Sequence, residues 1–405
     1  MRRFYEQFAT RRIRQRLFIS VSLSAAVLAL GCFAPAQIPI ERRQYHIIKL
    51  PNIGGTSGFG TSINDRGWIT GSSNEAGDAT QQAVIWQDQT AVPLGTLGGP
   101  NSGIIFPVKN NRGIVAGISE TNDANPFNEE SSCSAVFPTA TLKICRGFRW
   151  ENGLMTELKP FSGGYNGFAS AANSQGQVAG WAENGLHDPS CTASQVLQFR
   201  AAIWEPGTDV PTQLPPLTGD STSAATAMND RGQVVGISGI CGFAVGAYSA
   251  AHMVIWENGV PAPIPGLGGV AWNTPMAINE QGVVVGFSNY RASDADTFNE
   301  HAFIWTKDLG TKEILPLSGD TRGQALGVNS RGQVVGLSRR PGVRRAFIWE
   351  NGTSYDLNSM VDAGFTDVLR FANDINDKGE ITGQALNIAT GEFYTFLAIP
   401  TVKND

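Results

Sequence analysis

Between Ala225 and Gly269 the chain reads ATAMNDRGQVVGIS and then, after a short connection, AAHMVIWENGVPAPIPGLGG. Four short apolar runs lie there, divided by turn-forming residues. Strand A is small and apolar and ends at Asn229. Strand B is QVVG. Strand C is HMVIW, closed by the hairpin signal ENG, and strand D is the PIPGL run. The runs on B and C are continuous rather than alternating, as in strands buried on both faces. A four-stranded antiparallel sheet covered on both sides needs a neighbouring sheet on each side. Sheets arranged radially around an axis meet that need.

The pattern recurs. MNDRGQVVG (228–236) has relatives in INDRGWITG (63–71), KNNRGIVAG (109–117), ANSQGQVAG (172–180), INEQGVVVG (278–286), VNSRGQVVG (328–336) and INDKGEITG (375–383). Each holds an Asn, a Gly three residues on, and a second Gly four residues after that. The Asn residues are Asn64, Asn110, Asn173, Asn229, Asn279, Asn329 and Asn376. Their predicted role is structural: an Asx side chain bonds the turn backbone while Gly accepts a positive φ. The second Gly suggests close approach of adjacent sheets. Strand C ends in Trp at 86, 150, 204, 256, 305 and 349, and Ala398 takes that place in the seventh unit.

Seven units of this kind predict an all-β, seven-bladed β-propeller with four-stranded antiparallel blades. A β-solenoid is the rival, but repeats 46 to 63 residues apart are too long and too uneven for its coils. The last unit (372–399) has strands A, B and C and no D. The segment 45–55, YHIIKLPNIGG, matches a strand D and stands alone ahead of the first A strand. The N-terminal strand is therefore expected to pair with the last blade and close the ring, which removes two exposed edges.

The recurring HAFIW (301–305) and INDxGQVVG motifs, in phase over essentially all of 45–400, resemble the HAF-repeat family of probable extracellular repeat proteins. The His-Ala-Phe triplet occurs literally once, at His301-Ala302-Phe303, with Arg, Gln or Tyr replacing His elsewhere. The resemblance implies an exported bacterial repeat protein and carries over no catalytic residue.

Composition agrees with a turn-rich β protein: 47 Gly, 21 Pro and only 16% charged residues in 405. Residues 1–36 stand apart. An arginine-rich start (RRIRQR, 11–16), an apolar run (17–31) and APA (34–36) read as a secretory signal cleaved after Ala36. Lipidation at Cys32 in LALGC is the alternative, against which Ala29 stands where a lipoprotein signal has Leu. The domain reading is thus a signal peptide (1–36), one propeller (37–400) and a short tail (401–405). The formal net charge is −5, and loss of the six arginines of the leader makes the remainder more acidic. Nucleic acid is a poor partner for such a surface, and no later segment reaches the roughly 18 apolar residues of a membrane span.

No GxSxG, HExxH or P-loop pattern is present, and no cofactor or metal is called for. His252 and His301 occupy equivalent positions in adjacent units. Lys109 and Asp374 are charges on inner strands otherwise filled by Ala, Ile, Met and Val. The B–C connections carry the long insertions, at 118–145, 181–199, 237–250 and 287–300, so one face of the ring is diversified over a constant frame. Seven residues before each repeat Asn, at the mouth of the channel, stand Ser57, Gly103, Asn166, Thr222, Trp272, Arg322 and Leu369. Asn166, Trp272, Asn273, Arg322 and Arg370 are the candidate ligand contacts of this rim. The leading reading is a secreted or envelope scaffold, non-catalytic, that binds a glycan, peptide or protein. A glycoside hydrolase or lyase is the second reading and needs converging carboxylates, for which Asp220, Asp320 and Asp374 form no evident pair. A purely structural envelope component is the third.

Four cysteines follow the leader, all in or beside B–C connections. Cys133 and Cys145 share one insertion, and Cys191 and Cys241 lie in the insertions of neighbouring units. An exported protein can lock such insertions covalently, so the expected bonds are Cys133–Cys145 and Cys191–Cys241. Non-reducing peptide mapping should return these two linked peptides; a Cys133–Cys191 or Cys133–Cys241 peptide would show the assignment wrong.

Overall fold

The computed structural model describes residues 38–129, 136–192, 194–242 and 246–402. Residues 1–37, with Cys32, lie outside these residues, as does Cys133. Seven four-stranded antiparallel sheets form a closed ring. The A strands, among them Gly54–Ile63, Thr222–Met228, Arg322–Val328 and Val368–Ile375, line the axis, and the D strands lie outermost. Strand Arg43–Lys49 supplies the fourth strand of the last blade, pairing antiparallel with Phe393–Val402 from Arg43↔Val402 to Lys49↔Phe396. Burial of strand B agrees with its continuous apolar run. Strand Val234–Gly239 is buried throughout, whereas the outer Val260–Ile264 is mostly exposed. Among the described residues, no helix is long and apolar enough to cross a membrane.

The repeat asparagines do more than make turns. Asn279 Oδ1 accepts from the N–H groups of Gln281 (3.0 Å) and Val283 (2.9 Å), which shapes the turn in which Gly282 sits at φ 79°. Its Nδ2 donates to the Asn329 carbonyl of the next blade at 2.9 Å. Asn329 bonds Asn376 O in the same way (3.1 Å), Asn376 bonds Asn64 O across the seam (3.0 Å), and Asn64 bonds Asn110 O (3.1 Å). Asn229 continues the series to Asn279 O at 3.0 Å, and Asn110 reaches Ala172 O at 3.3 Å. Asn173 Nδ2 donates within its own blade, to Gln177 Oε1 at 2.7 Å, a bond that Asn229 and Asn329 make to Gln233 and Gln333 beside their inter-blade one. One side chain thus caps its own turn and ties its blade to the next.

The second repeat glycine departs from expectation. A Cβ on Gly236 would strike Ala224 O, and one on Gly336 would strike Gln324 O, both on strand A of the same blade. The close approach is therefore within a blade, where strand A carries a bulge between Ala225 and Ala227 or between Ala325 and Gly327. The bulged residue often spans to the next blade: Thr226 Oγ1 donates to Pro275 O (2.7 Å) and Ser170 Oγ to Ala225 O (2.7 Å). Two smaller differences have local causes. Strand A of the second blade stops at Gly103, and the next N–H, of Ile104, donates instead to Ser72 Oγ of the first blade at 2.9 Å. Strands B of the second and third blades run on to Ala124 and His187, so their insertions begin as extended hairpin arms.

Packing between blades uses the tryptophans. The indole N–H groups of Trp86, Trp204 and Trp256 donate to Pro51 O (2.9 Å), Lys159 O (3.0 Å) and Pro215 O (2.7 Å), just beyond strand D of the preceding blade. A serine two residues past the repeat glycine performs a related task. Ser119, Ser238, Ser288 and Ser338 accept from the N–H of Leu97, Leu217, Leu267 and Leu317 at 2.8 to 3.0 Å, fixing the link into each blade. The recurring serine is visible in VVGIS, VVGFS and VVGLS, yet its partner is set only by the ring.

Cys191 and Cys241 form a disulfide with Cα atoms 4.5 Å apart. Thr192 N–H bonds Gly242 O (2.9 Å) and Gly242 N–H bonds Ser190 O (3.1 Å), so the insertions of blades three and four are stapled as expected. Closing a loop of sequence separation 50 contributes about 4 kcal/mol on the chain-entropy estimate. Cys145 is also disulfide-bonded.

The two roles of the repeat asparagine are separable. Asn279→Asp keeps the acceptor for the turn and loses the donor to Asn329, and should lower stability by about 1–3 kcal/mol; Asn279→Ala should cost more. Denaturant unfolding measures both, and an aspartate variant as stable as the parent would remove the inter-blade bond from the account.

Candidate functional site

The channel holds two chambers. On the side of the B–C connections, a cavity of about 330 Å³ is lined by Phe59, Ile105, Met276, Gln324, Phe371, Asn373 and Gln384, among others. On the side of the repeat turns lies a second of about 200 Å³, rimmed by Asp65, Asp230, Glu280 and Asp377. Lys109 stands between. Its Nζ meets Asp374 Oδ1 at 3.2 Å, donates to Val328 O at 3.3 Å and also to Ile375 O, so it ties three inner strands together. Asp374 is 1% exposed and accepts as well from Ser62 Oγ (2.9 Å) and Ile63 N–H (3.0 Å). The two inner-strand charges noted in the sequence are each other's partner.

The larger chamber has a characteristic chemistry. Its apolar walls come from Phe59, Ile105, Leu326 and Phe371. Three primary amides break that surface, and each spends one N–H on the protein: Gln324 on Glu300 (3.4 Å), Asn373 on Gly60 O (2.7 Å) and Gln384 on Gly58 O (3.2 Å). Their carbonyl oxygens accept no hydrogen bond from any described residue, so they are acceptors left for a ligand.

Rim residues divide into two kinds. Trp272 and Arg322 converge on Phe298 of the fifth-blade insertion. The Trp272 ring lies 4.7 Å from the Phe298 ring and its Nε1 donates to Asp296 O (2.6 Å), while Arg322 Nη1 donates to Phe298 O (3.0 Å). Trp272 holds φ 59°, a left-handed backbone uncommon for a bulky residue. Arg370 lies two blades on from Trp272, its guanidinium 5.2 Å from the Phe393 ring. Asn166 and Asn273 are bonded within the protein. Both are 2% exposed; Asn166 bonds Glu183 and the Cys145 N–H, and Asn273 bonds Ala251 O, Gly269 O and Ser288. Their position before strand A points them into the insertions rather than the channel.

Asp220 and Asp320, the candidate carboxylates of this face, have fixed partners. Asp320 meets Arg340 (2.7 Å), Arg345 (2.8 Å) and Ser338 (2.8 Å). Burial opposes ionisation there, yet the bonds from Ser338, Arg345 and Arg340 hold its pKa below the ordinary value. Asp220 meets Ser238 (2.6 Å) and His252 (2.9 Å), and His301 meets Glu313 (2.7 Å), so the two equivalent histidines each have their own acid. Arg339 pairs by two bonds with Glu300, whose side chain is wholly buried.

One carboxylate pair escaped the sequence. Glu129, in the second-blade insertion, and Glu183, on strand B of the third blade, are 1% and 2% exposed and share the Gln195 amide. Glu129 accepts from the N–H groups of Val196 and Leu197 (both 2.7 Å), and Glu183 from Asn166 N–H (2.8 Å) and Tyr165 N–H (3.1 Å). Burial first, and the charge of Glu129 second, push the Glu183 carboxyl up to about 7. The pair fastens an insertion to its neighbour blade and lines none of the cavities described above.

Ring and cup together define a class: a seven-bladed β-propeller with a plugged channel and an amide-lined cup on its variable face. No protein-family model and no curated protein matches the chain. Among solved structures it is similar to the β-propeller domain of the Trilobed protease from Pyrococcus furiosus, with 10% identity, 89% of this chain and 96% of that one covered, and a TM-score of 0.47. It is similar also to a streptogramin B lyase (11% identity, 88% and 98% covered, TM-score 0.48) and to virginiamycin B lyase from Staphylococcus aureus (11%, 87% and 99%, 0.47). At these identities the likeness is one of fold, and no activity passes from them. The resemblance to HAF-repeat proteins rests on the repeated motifs alone.

A folded-state pKa raised to about 7 means that folding favours protonated Glu183. That contribution is complete below the ordinary carboxyl range and is lost as pH rises through about 7. The melting temperature should therefore fall between about pH 5 and pH 7.5, and Glu183→Gln should flatten the profile. A variant with the parent's pH dependence would assign the slope to other groups.

Proposed function

We propose that this protein is a non-catalytic binding scaffold of the cell exterior or envelope, which takes a glycan, peptide or protein segment into the cup on its variable face. The observation that carries this reading is the contrast within one channel: three amide oxygens and several apolar side chains stand open, while the nearby charges at Asp374, Asp320, Asp220 and Glu300 are neutralised by fixed partners. Open acceptors on a rigid frame suit recognition. Acid–base chemistry needs a carboxyl pair that reaches the substrate, and the Glu129–Glu183 pair is sealed among backbone amides. Export is part of the proposal: it draws on the leader-like residues 1–36, and the Cys191–Cys241 disulfide is compatible with an extracellular or periplasmic site.

A glycan and peptide array probed with the purified protein tests this. Arg322→Ala with Gln324→Ala should weaken the hits about tenfold or more, as expected when two or more hydrogen bonds to a ligand are lost, with little change in melting. Hits that survive the double change would place the site away from the cup and overturn the reading.

A further inference from the structure

Three arginines of this face have acids: Arg339 has Glu300, and Arg340 and Arg345 share Asp320. Arg344 and Arg370 do not. Neither makes an ion pair or a hydrogen bond with any described residue. Arg344, at the start of strand Val343–Glu350, holds its guanidinium 5.5 Å from the Phe371 ring, and Phe371 is itself a wall of the cup. Arg370, at the start of strand Val368–Ile375, holds its guanidinium 5.2 Å from Phe393. Burial, and then the charge of Arg344, lower the Arg370 pKa, so the two cations feel each other. Arg322, the third cation of this arc, bonds only a carbonyl, Phe298 O.

Two adjacent cations without a counter-charge are unfavourable in the free protein, and an anion placed between them relieves that repulsion. The overall charge of the chain is negative, so the arc is a local exception to it. Guanidinium groups laid on aromatic rings keep their planar donor edges outward, the geometry that meets a carboxylate through two parallel bonds. Beside them the cup offers hydrogen-bond acceptors, the oxygens of Gln324, Asn373 and Gln384, together with the Phe59 and Phe371 rings. Acceptors in a row suit a ligand rich in hydroxyl donors, and ring faces suit the C–H faces of sugars. An acidic peptide shares the carboxylate but not the row of hydroxyl donors, and the titration below separates the two.

Resting on the binding reading above, we infer that the cup recognises an acidic glycan, with a uronate carboxylate held by Arg344 and Arg370 and sugar hydroxyls given to the three amide oxygens. The test is calorimetric titration of the protein with trigalacturonic acid, its fully methyl-esterified form, maltotriose and a triglutamate peptide. Trigalacturonic acid should bind at least tenfold more tightly than its methyl ester, and less tightly as salt rises. Arg344→Gln with Arg370→Gln should remove that preference without lowering the melting temperature, since neither side chain holds the fold together. Equal affinity for acid and ester would overturn the anion assignment while leaving a neutral-glycan cup intact. Tighter binding of triglutamate would overturn the glycan assignment. No binding of any sugar by a protein that gives peptide hits sensitive to Gln324 would do the same and leave the scaffold reading standing.

Discussion

The ring depends on a hydrogen bond that six of its seven blades make to the next through one amide. Sheets packed face to face are held mainly by apolar contact, which is non-directional and sets no angle between them. The Asn Nδ2 bonds, 2.9 to 3.3 Å long and repeated from Asn64 round to Asn376 and back, supply the missing direction. The same side chain fixes the A–B turn through its oxygen. Turn shape and blade spacing are therefore set by one residue, and a change at that position disturbs both.

Around that belt the structure sorts its variation. The turn side is uniform and closes on Lys109, whose ammonium draws strands from three blades to the axis. The opposite side carries the insertions, the disulfide between blades three and four, and the Glu129–Glu183 fastening. Long insertions bring little core of their own, and each is tied to the next blade by a polar or covalent link. The cup inherits its rigidity from this arrangement, so its amides are oriented before any ligand arrives.

The repeat made much of this legible. Asn positions, the Trp at the end of strand C, the unmatched strand near 45–50 and the Cys191–Cys241 bond follow from laying seven units in register. Contacts between units were harder to read. Nothing in VVG says whether its glycine meets a neighbouring blade or its own strand A; the bulge decides, and the bulge arises from one surplus residue in strand A. Asn166 holds the mouth position that Trp272 holds two blades on, but an amide small enough to turn under an insertion is buried there, whereas the tryptophan is not. Glu129 meets Glu183, and Arg344 meets Phe371, across 54 and 27 residues of chain, and those pairings exist only once neighbouring blades have packed.

The seam has a mechanical consequence. Strand Arg43–Lys49 runs antiparallel to Phe393–Val402 with Arg43 opposite Val402, so both strands leave the last blade at the same end. Tension applied through these two ends loads the backbone bonds between them one pair at a time, as in opening a zip, rather than all together in shear. The propeller would thus yield first at its closing blade under modest force, and the blades joined by Cys191–Cys241 would part last.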